Sequence, residues 1–105
     1  MKIMMRMIMR FVPGKLAEGR KLLEEFLSII KEYDTFPATS VRNYAPWIGG
    51  GDAMHTLIME FDIDSLAKMA EFFEKAWADP RLMQTMGQWD DIEESHKVEL
   101  YMVTQ

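Results

Sequence analysis

Between His55 and Pro80 the chain changes its apolar period once, and that change limits what it can fold into. Leu57, Met59 and Phe61 alternate with Thr56, Ile58 and Glu60, the pattern of a strand with one buried face. From Leu66 onward the apolar residues Leu66, Met69, Ala70, Phe73 and Trp77 recur at helical spacing, which predicts one buried stripe. Asp64 is the expected N-cap, and Asp62 adds negative charge where a helix start favours it. Asp79-Pro80 closes the helix, because the residue before a proline is pushed away from α geometry. A strand feeding an amphipathic helix through a short turn needs a sheet beneath it.

The rest of the chain supplies that sheet. Lys2 to Phe11 reads as a long strand, with Ile3, Met5, Met7, Met9 and Phe11 on one face and Lys2, Met4, Arg6, Ile8 and Arg10 on the other. Val12-Pro13-Gly14 ends it. A helix then runs from about Lys15 to Tyr33, with a wide stripe of Leu16, Leu22, Leu23, Phe26, Leu27, Ile29, Ile30 and Tyr33. Asp34 to Pro37 is a turn and Ser40 to Ala45 a second strand. Pro46 to Asp52, with its three glycines, is a hairpin loop leading back to His55. After Pro80 the residues Arg81 to Trp89 form a short extra helix, and Asp90 to Glu94 an acidic, solvated segment. Lys97 to Val103 is the last strand, with Val98, Leu100 and Met102 opposite Glu99, Tyr101 and Val103.

The order β-α-β-β-α-β, with right-handed crossovers, is the α+β ferredoxin-like plan: one four-stranded antiparallel sheet with both helices on one face. At 105 residues the chain makes one domain over residues 1–105, and most of it must serve a single core. Under the helices go the unbroken apolar faces. The other sheet face is mixed: Arg6, Ile8, Arg10, Arg42, Tyr44, Thr56, Ile58, Glu60, Glu99, Tyr101 and Val103. Such a patch on a monomer signals an interface, so a homodimer with two sheets packed face to face is expected.

Composition excludes several functions. The net charge of −5 disfavours nucleic acid or an anionic membrane as partner, since both call for a positive patch. There is no cysteine, hence no disulfide framework, thiol nucleophile or Cys-based metal site. Lys2, Arg6 and Arg10 interrupt the apolar N-terminus, which suits neither a signal peptide nor a membrane span, so a cytoplasmic location is the default.

Pro13 to Lys15, Glu60 to Met69 (EFDIDSLAKM) and Trp77 to Pro80 (WADP) give the chain a resemblance to the dimeric α/β-barrel superfamily. That group includes antibiotic-biosynthesis-type monooxygenases, NIPSNAP-like proteins, muconolactone-isomerase-like proteins and haem-degrading enzymes. The resemblance implies a dimeric barrel acting on a small molecule, as a cofactor-free oxygenase or isomerase on an aromatic or lactone-like compound. It departs from the pattern at one place. The monooxygenase and haem-degrading branches commonly carry a histidine on the second helix, near where this chain has Glu71.

On the mixed face, Arg6, Arg42, Tyr44 and Tyr101 are candidate ligand-binding residues, because arginine pairs with a carboxylate or enolate. Glu60 is the candidate for proton transfer, with His55 as a second acid/base at the cavity mouth and Trp47 in the loop free to touch a ligand. The plainer account of the same residues is cross-strand ion pairs and interface hydrogen bonds, which makes the chain a non-catalytic dimeric module. His55 and His96 have acidic neighbours in Asp52, Asp91 and Glu94, but no spacing there calls for a metal, and none is expected. The 11 methionines fit adaptable packing, and Trp77 and Trp89 are expected in the core.

Overall fold

The computed structural model describes residues 1–34, 36–48 and 53–104. Its strands are β1 (Ile3–Phe11), β2 (Arg42–Tyr44), β3 (Thr56–Ile63) and β4 (Glu93–Met102), and its helices α1 (Leu16–Ile30), α2 (Leu66–Trp77) and α3 (Pro80–Ile92). The four strands form one antiparallel sheet in the order β2-β3-β1-β4, which is the ferredoxin-like arrangement expected from the sequence. The glycine loop over Gly49–Asp52 lies outside the described residues, as does Thr35 in the first turn.

Alternation along β1 is complete: Ile3, Met5, Met7, Met9 and Phe11 are buried, and the residues between them half-exposed. Leu57, Met59, Phe61 and Ile63 of β3 lie on the same face by register, and α1 covers both with Leu22, Leu23, Phe26, Leu27 and Ile30. Between β1 and α1 the chain turns at Gly14, whose φ of +88° suits a residue without a Cβ. Gly19 of α1 lies directly on the Phe11 ring.

Five sequence expectations change. The cap of α2 is Ser65, not Asp64; its hydroxyl accepts from the Lys68 amide at 3.2 Å, so the helix starts one residue later. Met69, Phe72 and Ala76 form the buried stripe of α2, whereas Leu66 and Trp77 are 56% and 66% exposed. Two stripes of α2 satisfy helical spacing, and packing chose the one that drops Phe72 between Phe36 and Phe61, at centroid distances of 5.4 and 5.8 Å. Thirdly, α3 is not short. Asp79 ends α2 and also caps α3, accepting from the Arg81 amide at 2.9 Å, with Pro80 in the first turn. The helix runs on into the acidic segment, whose Asp90, Asp91 and Glu94 are exposed as expected, ends at the buried Ile92 and passes without a loop into β4.

Arg81 fixes this junction by pairing with Asp79 and with Glu32. The Asp79 carboxyl accepts the Tyr33 hydroxyl at 2.7 Å. Burial first, and that hydrogen bond second, push the Tyr33 phenol up to about 12.

The fourth change concerns β4. Val98, Leu100 and Met102 face the helix side by register with Met7, Met5 and Ile3, yet they are 48%, 52% and 61% exposed. As the edge strand, β4 reaches beyond the cover that the helices give to β1 and β3. The second strand is also shorter than Ser40 to Ala45, because Ala38–Ser40 forms a 3-10 turn in which the Ser40 hydroxyl accepts from the Asp62 amide.

Candidate functional site

Register builds the mixed face. Arg6 of β1 stands opposite Glu60 of β3, which in turn stands opposite Arg42 of β2, and on its other side Arg6 faces Glu99 of β4. Glu60 is only 7% exposed. Its carboxylate accepts from Arg6 Nε at 2.9 Å, from Arg42 Nε at 3.4 Å and, at the limit of a bond, from the Tyr44 hydroxyl at 3.5 Å. Arg42 also reaches Asp62 at 3.2 Å. The Arg6 guanidinium lies over the Tyr101 ring, 5.2 Å from its centroid. The Glu99 carboxyl is held below the usual carboxylate range, first by the Tyr101 hydroxyl and then by Lys97 and Arg6.

Of the residues proposed from sequence, the fold thus brings Glu60, Arg6, Arg42, Tyr44 and Tyr101 together. Two stand apart. His55 is half-buried in the 3-10 turn before β3 and makes no hydrogen bond or ion pair among the described residues. Trp47 is 91% exposed. No group of three His, Cys, Asp or Glu among the described residues could hold a metal ion.

A second site lies on the opposite side of the sheet. Between α2, α3 and the sheet is a cavity of about 270 Å³. Its walls are almost wholly apolar, with Met5 and Met7 below, Phe72, Phe73 and Trp77 from α2, and Leu82 and Met86 from α3. Trp89, Asp90, Glu93 and His96 supply the polar part. The indole nitrogen of Trp89 is buried and has no hydrogen-bond partner among the described residues. The His96 ring meets the Trp89 ring edge-on, with centroids 6.5 Å apart. On its other side His96 Nδ1 is 3.0 Å from the Glu93 carboxylate, whose side chain is 7% exposed. That contact raises the His96 pKa above its ordinary value, against the opposing effect of burial.

Solved structures with this arrangement exist. An uncharacterised NIPSNAP domain protein from Burkholderia xenovorans superposes with a TM-score of 0.71 at 21% identity, over 99% of this chain and 95% of that one. A NIPSNAP-family protein of unknown function from Agrobacterium tumefaciens gives 0.77 at 19%, over 95% and 86%. This chain shares the α+β ferredoxin-like fold of these NIPSNAP proteins. A third protein of the same fold, SnoaB, a cofactor-independent oxygenase from Streptomyces nogalater, gives a TM-score of 0.73 at 9% identity, over 99% and 94%. No family model matches the sequence, and no curated protein matches it either. No helix among the described residues is long and apolar enough to cross a membrane.

Within this ferredoxin-like fold, the cavity walls escaped the sequence reading for a physical reason. Phe73 and Trp77 look like core because a cavity wall and a core stripe share one periodicity. His96 sits among Glu93, Glu94, Ser95 and Lys97, and so reads as exposed, which its side chain is at 36%, although part of it also lines the cavity. A signal was present nonetheless: His96 extends the alternation of Val98, Leu100 and Met102, which places it on the helix side as the partner of Met9.

Proposed function

We propose that this protein binds a small, uncharged ring compound in the cavity between α2, α3 and the sheet, and that two copies pair through the mixed sheet face. The observation that carries the first part is an apolar cavity walled by Phe72, Phe73, Trp77 and Met86, with few polar groups to bind water in a ligand's place. A volume of about 270 Å³ is just under the usual range for drug-sized ligands, which begins at roughly 300 Å³, and favours one or two rings. Asp90 and Glu93 at its edge oppose the entry of a carboxylate or phosphate. The reaction class that fits is that of a cofactor-independent oxygenase or isomerase acting on an aromatic or lactone-like compound, and the likeness in fold to SnoaB supports it.

Titration calorimetry with nitrobenzene tests the cavity. One molecule should bind per chain, and Met86→Trp, a change at a half-exposed position of the wall, should weaken binding about tenfold or more without unfolding the protein. Absence of saturable binding, or binding indifferent to Met86→Trp, would remove the proposal.

A second reading, a non-catalytic dimeric module, draws support from the mixed face alone. Three donors already hold Glu60, while Tyr44, Tyr101 and Val103 remain 41–44% exposed around it. Both readings require the pairing. Light scattering at micromolar concentration should give a mass of twice 12.3 kDa, and Ile58→Glu should reduce it to one chain by burying an unpaired charge. A wild-type monomer would contradict both.

A further inference from the structure

We infer that β4 pairs edge to edge with β4 of a second copy, antiparallel about a two-fold axis at Val98, and so joins two sheets into one. This seam is separate from the mixed sheet face and rests on neither the cavity nor the face-to-face pairing.

β4 is one edge of the sheet, so its outer side faces no strand among the described residues. Val103 donates its N–H to the Lys2 carbonyl at 3.0 Å, which sets the phase of the β1–β4 ladder. Counting back in twos, Tyr101, Glu99 and Lys97 engage Met4, Arg6 and Ile8 of β1 through their backbone groups. Those of Met102, Leu100 and Val98 therefore point outward. The same three residues carry the uncovered apolar side chains, so open backbone and exposed apolar surface coincide at alternate positions. Such an edge templates another strand unless something blocks it. Nothing on β4 does: it has no proline, and its register shift lies at the far end, opposite Arg10 and Phe11.

Charge selects both the occupant and the register. Laid on a second β4, registers centred on Val98, Glu99 or Leu100 all bring the outward groups together. Centring on Glu99 sets that carboxylate against its own copy, where like charges repel. Centring on Leu100 leaves Lys97 opposite Val103, with no charge to meet. Centring on Val98 puts Lys97 opposite Glu99 of the second copy, and Glu99 opposite its Lys97. Lys97 at present touches Glu99 of its own strand at 3.4 Å, an exposed contact that is given up at little cost. On the helix side Val98 then meets Val98, with Leu100 of each copy on the diagonal. The strand is thus complementary to itself in charge and in apolar pattern. The axis stands perpendicular to the sheet and leaves the mixed face open, so both pairings can form together. A single seam buries well below the roughly 1,200–2,000 Å² of a standard interface, so it needs more than micromolar protein.

The test is made in Ile58→Glu, which suppresses pairing through the mixed face. Sedimentation should show one chain at micromolar concentration and two at roughly 0.5 mM. At the higher concentration amide exchange should slow at Val98 and Leu100 but not at Glu99, whose N–H already bonds to β1. Lys97→Glu and Glu99→Lys should each weaken the association about tenfold, since each sets like charges across the seam. An equimolar mixture of those two variants should restore it, because every facing pair is then opposite in sign. The chain has no cysteine, so Val98→Cys and Leu100→Cys each supply a single thiol. Mild oxidation should join Val98→Cys faster, because only Val98 lies opposite itself at the axis. A single chain at 0.5 mM, or association indifferent to Lys97→Glu, would overturn the seam, and faster joining through Leu100→Cys would overturn its axis. If the wild-type protein is a monomer at micromolar concentration yet pairs at 0.5 mM with this exchange pattern, the seam stands and the face-to-face pairing falls.

Discussion

Replacing Gly19 by alanine is expected to cost about 1–2 kcal/mol of stability, although alanine is the better helix former. A Cβ built at Gly19 falls 2.6–2.7 Å from three carbons of the Phe11 ring, well inside contact distance. Phe11 is fully buried and its ring is also stacked with Trp89, centroids 6.5 Å apart, so there is little free space for it to move into. Overpacking of this kind costs about 1–3 kcal/mol, against a helix-propensity gain of at most about 1 kcal/mol. Gly87→Ala is the matched control: it is also helical, but its Cβ would meet nothing within 4 Å. That change should stabilise by up to about 1 kcal/mol. Denaturant unfolding of the two variants gives opposite signs if the contact decides, and the same sign if propensity does. Adding Phe11→Leu to Gly19→Ala should recover part of the loss, since it removes the ring carbons that clash.

The Phe11–Trp89 stack also links this contact to the cavity, and it shows where the sequence was legible and where it was not. The alternation of Ile3 to Phe11 and of Leu57 to Phe61, with helical stripes between, was enough for the sheet and both crossovers, because those periods are local properties of the chain. Whether α2 buries Phe72 or Phe73 is decided by a distant residue, Phe36, which inserts beside Phe61. Edge exposure of Val98, Leu100 and Met102 depends on how far the helices reach, which no local pattern records. The same holds for the sites. Arg6, Glu60 and Arg42 could be placed together from strand parity alone, since register fixes which residues face each other across a sheet. His96, Glu93 and Trp89 come together across the junction of α3 and β4. That junction carries no loop and no turn residue, so nothing in the sequence marks it.

Glu60→Gln separates a working carboxylate from a structural one on the mixed face. The substitution keeps the shape and removes the charge, leaving Arg6 and Arg42 around a neutral amide. Were both arginines buried, breaking such a pair would cost about 3–5 kcal/mol. Here the arginine side chains are 34% and 42% exposed, so water recovers part of their hydration, and the expected loss in the single chain is about 1–3 kcal/mol. Pairing of two sheets would dry the same face and push the cost towards the upper figure. The loss should therefore grow with protein concentration when unfolding is followed from monomer-favouring to dimer-favouring conditions. Binding of nitrobenzene should be unchanged, since the cavity lies across the sheet from Glu60 and none of its lining residues touches that carboxylate. Loss of nitrobenzene binding in Glu60→Gln with stability intact would return the ligand site to the mixed face and to Glu60.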